Sequence, residues 1–291
     1  MSPDSINVIK RNGRGLEPLD IQKIHSMVHY ACEGLSGVSE SQVEMNSGMQ
    51  FYDKMTTEEI QQILIKSASD LISLEKPNYQ YVAARLLLFS LRKGLHHRLW
   101  EHPTLLDHIK KCIEVGVYDK EFLVWYTNEE IEEMNMYVKH ERDYLFSYAG
   151  LRQVVDKYLV QDRSTGEIFE TPQFMYMMIA ATLFRNYDIE RRMDYVKKYY
   201  NAISQHLINI PTPVMAGVRT PLRQFASCVL VDTDDTLPSI FSSDMAIGRY
   251  VAQRAGIGIN AGRIRGINSR IRGGEVQHTG VVPFLKKFEA T

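Results

Sequence analysis

The chain has 291 residues, 44% of them hydrophobic and 24% charged, with a formal net charge of −1. That composition belongs to a soluble globular protein with room for about two domains, and it excludes a globally cationic nucleic-acid binder, so any anion site must be local. Three widely spaced cysteines, Cys32, Cys112 and Cys228, fit neither a zinc pattern nor a secreted disulfide framework. The opening residues lack the apolar core of a signal peptide and no stretch could span a bilayer, which predicts a cytoplasmic protein that contacts neither membrane nor nucleic acid.

Ile6 to Lys10 alternates and runs into Asn12-Gly13, the strongest short hairpin signal, with Leu16 to Leu19 as the return strand. Asp20 then caps a helix whose apolar residues Ile21, Ile24, Met27, Val28, Ala31 and Leu35 keep helical spacing. Ser39 with Gln42, and Thr56 with Glu59, read as capping boxes that open two further helices. Pro77 opens another, which runs through Tyr81, Ala84, Leu88 and Leu91 to Arg92-Lys93. Residues 1–97 thus read as one unit, a hairpin plus helices, with Lys10, Arg11, Arg14, Lys23 and Lys93 as basic residues on it.

Residues 98–221 read as a second, helical unit. Thr127 with Glu130 is a capping box ahead of a long amphipathic run, and Lys139 to Asp143 reads as an exposed helix face without a chemical role. His96 and His97 are adjacent and so point to different helix faces; with His102 they lack a Cys or acidic partner at ligand spacing, and solvated surface is the expectation, with no metal bound. Tyr158 to Glu170 is a hairpin-like interruption around Thr165-Gly166. Two apolar helices follow, Pro172 to Arg185 and Ile189 to Ile203, in which Phe174, Met175, Tyr176, Met177 and Met178 read as core. Leu207 to Pro213 is an extended run halted by prolines. Residues 222–291 form a third part, in which Gln224 to Val231 is an apolar strand containing Cys228 and Ser239 to Arg254 is a helix. Acidic residues ahead of that helix, Asp232 to Asp235, complement its macrodipole.

From Gln253 to Gly280, seven glycines alternate with five arginines, and Glu275 is the sole carboxylate. Glycines at that density let the backbone take positive φ and approach a ligand closely, while arginines supply planar forked donors that suit phosphate. Ile257, Ile259, Ile264, Ile267 and Ile271 recur throughout, which a solvated linker would not need. The stretch therefore reads as structured loops that hold anionic phosphates.

Four motifs in this stretch, Arg254-Ala255-Gly256-Ile257-Gly258, Gly262-Arg263-Ile264-Arg265, Ile271-Arg272-Gly273-Gly274-Glu275 and His278-Thr279-Gly280, resemble the large (alpha) subunit of class I ribonucleotide reductase. Val8 to Gly13, Leu19 to Ile24 and Tyr79 to Leu86 are similar to its ATP-cone. The resemblance implies a predominantly α fold with α/β: the cone, a linking helical domain and the first part of the reductase α/β barrel. It implies an allosteric ATP/dATP site at Lys10, Arg11, Glu17, Pro18, Leu19, Asp20, Ile21, Gln22, Lys23, Thr57, Phe89 and Lys93, with Mg accompanying the nucleotide. Gln61 stands where bacterial members carry a histidine. A specificity-effector dNTP would be held at Asp235, Thr236 and Leu237, with its phosphates on Arg265 and Arg272. Substrate diphosphate would meet Thr212, Ser227, Ala255 and Gly256.

The lone Cys228 could be a buried, inert thiol; the resemblance makes it one half of the redox pair that reduces the substrate 2′-carbon, in a Ser227-Cys228-Val229-Leu230 setting with Ala226 in place of the usual serine. The resemblance also implies that the radical-site cysteine, the partner of Cys228 and the C-terminal cysteines lie outside this chain, as in a split gene product or a truncated chain. The expected partners are a downstream half of the large subunit, the small radical-generating subunit with its di-metal centre, a second copy of the chain, and thioredoxin or glutaredoxin. The alternative is a free-standing ATP-cone regulator without catalysis.

Overall fold

The computed structural model describes residues 6–10, 15–222, 224–253 and 255–291. The chain divides into two compact units, Met1–Asn209 and Ile210–Thr291. It is mostly helical, as expected, and the described residues form three small sheets. No helix among the described residues is long and apolar enough to cross a membrane.

The first unit opens with the expected hairpin. Strand β1 (Asn7–Ile9) pairs antiparallel with β2 (Leu16–Pro18), Val8 opposite Glu17. The turn residues Arg11, Asn12, Gly13 and Arg14 lie outside the described residues. A two-residue strand, β3 (Met55–Thr56), adds to the other side of β1 in parallel, Ile9 beside Thr56, a pairing too short to leave a periodic signal. Helix α1 (Ile21–Cys32) starts where the Asp20 carboxylate accepts the backbone N–H groups of Gln22 and Lys23 at 3.0 and 3.3 Å.

Helix α2 (Glu40–Gly48) has only half of its expected capping box. Ser39 Oγ accepts the Gln42 N–H, but Gln42 Oε1 accepts instead from the Tyr79 hydroxyl at 2.8 Å, and the Ser39 N–H donates to that same hydroxyl at 2.9 Å. A buried tyrosine thus replaces the reciprocal bond. Helix α3 (Thr57–Ser69) has the full Thr56/Glu59 box, and α4 (Tyr79–His96) packs along both α1 and α3.

The same unit continues through α5 (Leu105–Glu114), α6 (Phe122–Trp125), α7 (Asn128–Tyr137) with its full Thr127/Glu130 box, α8 (Tyr148–Gln153), α9 (Pro172–Phe184) and α10 (Ile189–Ser204). The expected hairpin-like interruption is present as a Gln161–Ile168 bridge. Helix α9 is buried on every side, Phe174 to Ala181 all 4% exposed or less, so its methionines are core, as expected.

Two expectations fail here. Lys139 to Asp143 is no exposed helix face: α7 ends at Tyr137, His140–Leu145 is a 3₁₀ segment, and Asp143 is 1% exposed, because the carboxylate is an internal partner for Arg92. His96 and His102 are not solvated surface either. The His102 ring stacks on His140 with centroids 3.6 Å apart, and His96 stands edge-on to it at 5.6 Å, while His97 caps α4 in a left-handed turn. No group of three His, Cys, Asp or Glu side chains among the described residues is arranged to hold a metal.

The second unit contains α11 (Thr212–Gly217), whose first turn includes Pro213, so the proline expected to halt an extended run starts a helix, as its fixed φ and missing N–H permit. Strand β4 (Cys228–Asp232) then pairs in parallel with β5 (Gly256–Asn260) through α12 (Leu237–Val251), capped by Thr236 two residues earlier than expected. A short hairpin, β6 (Arg270–Ile271) with β7 (Val276–Gln277), and α13 (Val282–Ala290) complete it. Ile240, Ile247, Ile264 and Phe288 form its core, with Ile257 and Ile259 packed against them. Three isoleucines of the Gly/Arg stretch therefore do hold structured loops, whereas Ile267 is 70% exposed.

Candidate functional site

Around the β2-β1-β3 sheet, short-range geometry gathers most of the expected effector residues. Lys10 follows β1 and Thr57 follows β3, one residue past the Ile9–Thr56 pair. Lys10 Nζ lies 2.5 Å from Glu17 Oε1 across the hairpin, and Lys23 Nζ lies 3.4 Å from Asp20 Oδ2. Pro18, Leu19, Asp20, Ile21 and Gln22 carry the chain from β2 into the N-terminus of α1, where the Asp20 carboxylate already takes the Gln22 and Lys23 N–H groups. Burial pushes the Asp20 carboxyl upward, but the backbone N–H and ammonium of Lys23 and the Gln22 N–H together hold it below its ordinary value. Lys93 is half-buried in the last turn of α4. Phe89, one turn earlier, is fully buried and meets Trp100 edge-on at 5.6 Å, so it lies in the core. Gln61 is buried too, its amide donating to the Leu86 carbonyl at 2.9 Å. Arg11 lies outside the described residues.

In the second unit the loops after β4 and β5 are tied together by opposite charge. The Asp235 carboxylate accepts the Arg265 backbone N–H at 3.0 Å and its Nε at 2.6 Å. That backbone N–H, and then the guanidinium, hold the Asp235 carboxyl below the usual carboxylate range. Arg263 repeats the arrangement, 2.9 Å from Asp234 and 3.6 Å from Asp232. The acidic run ahead of α12 therefore serves as the counter-charge to the arginine loop. Leu237 is exposed on the first turn of α12 beside Thr236. Arg272 sits at φ 51 with Gly273 and Gly274 at 73 and 110, a left-handed turn that only glycines adopt without penalty at its second and third positions.

Cys228 is exposed and heads β4, directly opposite Gly256 in the parallel register. The Gly256 N–H donates to the Ser227 carbonyl at 2.9 Å, which sets Ser227, Cys228, Ala255 and Gly256 side by side across two strands. Leu230 and Asp232 share the exposed face of β4 with Cys228. Cys32 and Cys112 are buried. Thr212 opens α11, in the same unit. Arg254, from the first of the Gly/Arg motifs, lies outside the described residues.

Residues that local sequence reading left without a role form a buried cluster in the first unit. Arg92 donates to Asp143 Oδ2 at 3.0 Å and to the His140 carbonyl at 2.9 Å; Gln173 donates to Asp143 Oδ1 at 2.9 Å, and Tyr200 donates to Gln173 at 2.7 Å. Burial pushes the Asp143 carboxyl upward, against the pull of Arg92.

Comparison with known families matches three in succession: the ATP cone domain over residues 6–94, the ribonucleotide reductase all-alpha domain over 144–223, and the ribonucleotide reductase barrel domain over 226–291. The ribonucleoside-diphosphate reductase 1 subunit alpha of Salmonella typhimurium is 52% identical over 285 residues, which cover 98% of this chain and 37% of that protein. That of Escherichia coli is also 52% identical, over 97% of this chain and 37% of its own length. The ribonucleoside-diphosphate reductase subunit alpha of Enterobacteria phage T4 is 46% identical over 98% of this chain, again 37% of its own length. The chain thus spans 37% of the length of these relatives. With its cone, its helical domain and the opening strands of its barrel accounted for in order, the chain belongs to the ribonucleotide reductase alpha-subunit family.

Proposed function

We propose that this chain is the nucleotide-sensing and substrate-side portion of a ribonucleoside-diphosphate reductase. Its cone takes ATP or dATP, with Mg on the phosphates, using Lys10, Arg11, Glu17 to Lys23, Thr57 and Lys93, with Phe89 behind them. Lysines suit a triphosphate as mobile point charges. A specificity-effector dNTP sits between Asp235, Thr236, Leu237 and the arginines Arg265 and Arg272. Arg265 spends one of its five guanidinium donors, Nε, on Asp235, which leaves others for phosphate.

Substrate diphosphate lies on Thr212, Ser227, Ala255 and Gly256, over Cys228. In the reaction the ribose C2′–OH bond breaks, the oxygen leaves as water, C2′ gains hydrogen, and two thiols lose two electrons as they join in a disulfide. Cys228 is one of these thiols. Its partner and the radical-site cysteine come from a further alpha-subunit segment, the radical from the small subunit, and thioredoxin or glutaredoxin reduces the disulfide. Association with a second copy completes the effector site. ATP favours the active assembly and dATP the inhibited one, a coupling between two sites.

The observation that carries this reading is the convergence at the cone sheet: Lys10 and Thr57 one residue beyond the Ile9–Thr56 pair, and β2 running into the Asp20-capped start of α1. Isothermal titration of the chain with ATP, and separately with dATP, tests it. One saturable site is expected, and Lys93→Ala weakens it by about 10- to 100-fold, the worth of one charge-assisted hydrogen bond. Equal affinity in Lys93→Ala and the parent chain removes Lys93 from the site; absence of binding to the parent chain removes the cone function itself.

A further inference from the structure

The candidate cone residues lie on two packed helices, Asp20 to Lys23 at the start of α1 and Phe89 and Lys93 on α4. Two arginines seven residues apart on α4, hence on one face of that helix, tie it to its neighbours, Arg85 to α1 and Arg92 to the His140–Leu145 segment. Arg85 donates to the carbonyls of Ala31 and Glu33, at 3.2 and 2.6 Å, and so closes the C-terminal end of α1. Arg92 donates to Asp143 and to the His140 carbonyl, as described above. Between them stands the ring of Tyr144, 5.1 Å from the Arg85 guanidinium carbon and 5.7 Å from that of Arg92.

The 3₁₀ segment His140–Leu145 is therefore held by α4 through one buried ion pair and one aromatic ring placed against two cations. Its far side is fastened to α9 through Gln173, and the neighbouring Lys139 N–H donates to Tyr200 of α10 at 2.8 Å. Buried Nε atoms of both Arg85 and Arg92 have no hydrogen-bond partner. Those side chains give up a donor each in order to hold this geometry.

We propose that Arg85, Arg92, Asp143 and Tyr144 are positioning residues for the cone's nucleotide site, and that the His140–Leu145 segment is the element through which nucleotide occupancy of the cone and the packing of α9 and α10 bias one another. The proposal rests on the reading that the cone binds ATP. The physical basis is rotational. Adjacent residues on a helix are separated by about 100°, so anchoring the Arg92 guanidinium on Asp143 fixes the direction in which Lys93 leaves α4. Arg85 fixes the distance from α4 to the helix that carries Asp20 to Lys23. None of the four touches the nucleotide in this reading; each acts through α1 or α4.

The test is ATP affinity, measured by titration of the whole chain well below its melting temperature, for Arg92→Lys, Tyr144→Leu and Arg85→Lys. Asn135→Ala is the control. It removes a tie elsewhere in the same unit, in which Asn135 Oδ1 accepts the Leu105 N–H at 2.9 Å, on elements other than α1, α4, α9 and α10. Circular dichroism identifies the variants that are folded at the titration temperature. About a tenfold weakening is expected in the folded clasp variants, within the usual range of coupling between sites, with Asn135→Ala at the parent affinity despite its own loss of melting temperature. Clasp variants that bind ATP as the parent does overturn the positioning role, as does an equal weakening in Asn135→Ala. A parent chain that binds no ATP overturns the cone reading on which this rests, and is recognised by that result alone.

Discussion

Asp143→Ala is expected to lower the stability of the first unit by about 3–5 kcal/mol, because it strands the Arg92 charge in the interior. Arg92 is 3% exposed and its Nε has no hydrogen-bond partner, so neither water nor a neighbouring carboxylate replaces what is lost. Gln173 loses an acceptor at the same time, and the chain from Gln173 to Tyr200 loosens with it. At about 2–4 °C per kcal/mol for a unit of this size, the melting temperature falls by roughly 6–20 °C. Replacing both partners with apolar residues, Arg92→Met with Asp143→Leu, recovers most of the loss, since a buried pair contributes little net stability but is costly to break on one side. A single variant within about 2 °C of the parent contradicts the assignment of Asp143 as the partner of a buried cation.

Stability is also expected to fall steeply on mild acidification. Burial, together with nearby Arg92 or Lys111 and the other rings, holds His96 down to about 4, His102 to about 3 and His140 to about 2. In the unfolded chain all three titrate near 6.5. Below that pH the unfolded state binds protons that the folded state refuses, so the contribution is complete above about 6.5 and is lost as pH falls toward the folded values. One ring kept fully neutral loses about 2 kcal/mol between pH 6.5 and 5. The rings are half-buried, and solvent screening brings the set to roughly 3 kcal/mol in all. Urea unfolding at pH 7.5 and pH 5 measures it, and a variant carrying His102→Asn and His140→Asn flattens the dependence. Equal stability at the two pH values contradicts the stacked, neutral arrangement of these rings.

What could be read locally was read well. Asp20, Thr56 with Glu59, and Thr127 with Glu130 act within three residues of themselves, and all three caps form as the spacing indicates. The all-apolar run of α9 announced its burial, and the isoleucines among the arginines announced a structured loop. Misreadings came where a distant partner decides. Asp143 sits in a charged run that looks solvated, and its cation is 51 residues away on α4. Asp235 meets Arg265 across 30 residues and a parallel strand crossing. Gln42 completed a capping motif on paper, but Tyr79, 37 residues on, took its oxygen. The expected effector and substrate residues were legible only through resemblance, because a Lys at a hairpin or a Cys in a strand has no distinguishing spacing of its own.

The central claim, that Cys228 is a redox thiol of a nucleotide-regulated reductase, is tested most directly by turnover. The chain is combined with the remaining segment of an alpha subunit of its family and a small subunit, then assayed for CDP reduction with ATP and the thioredoxin system. Reduction is expected in the complete mixture, absent when any component is left out, and at background in Cys228→Ser. Full turnover by Cys228→Ser contradicts the redox role of Cys228, and a complete mixture that binds ATP tightly yet reduces nothing contradicts the catalytic account and leaves a nucleotide sensor.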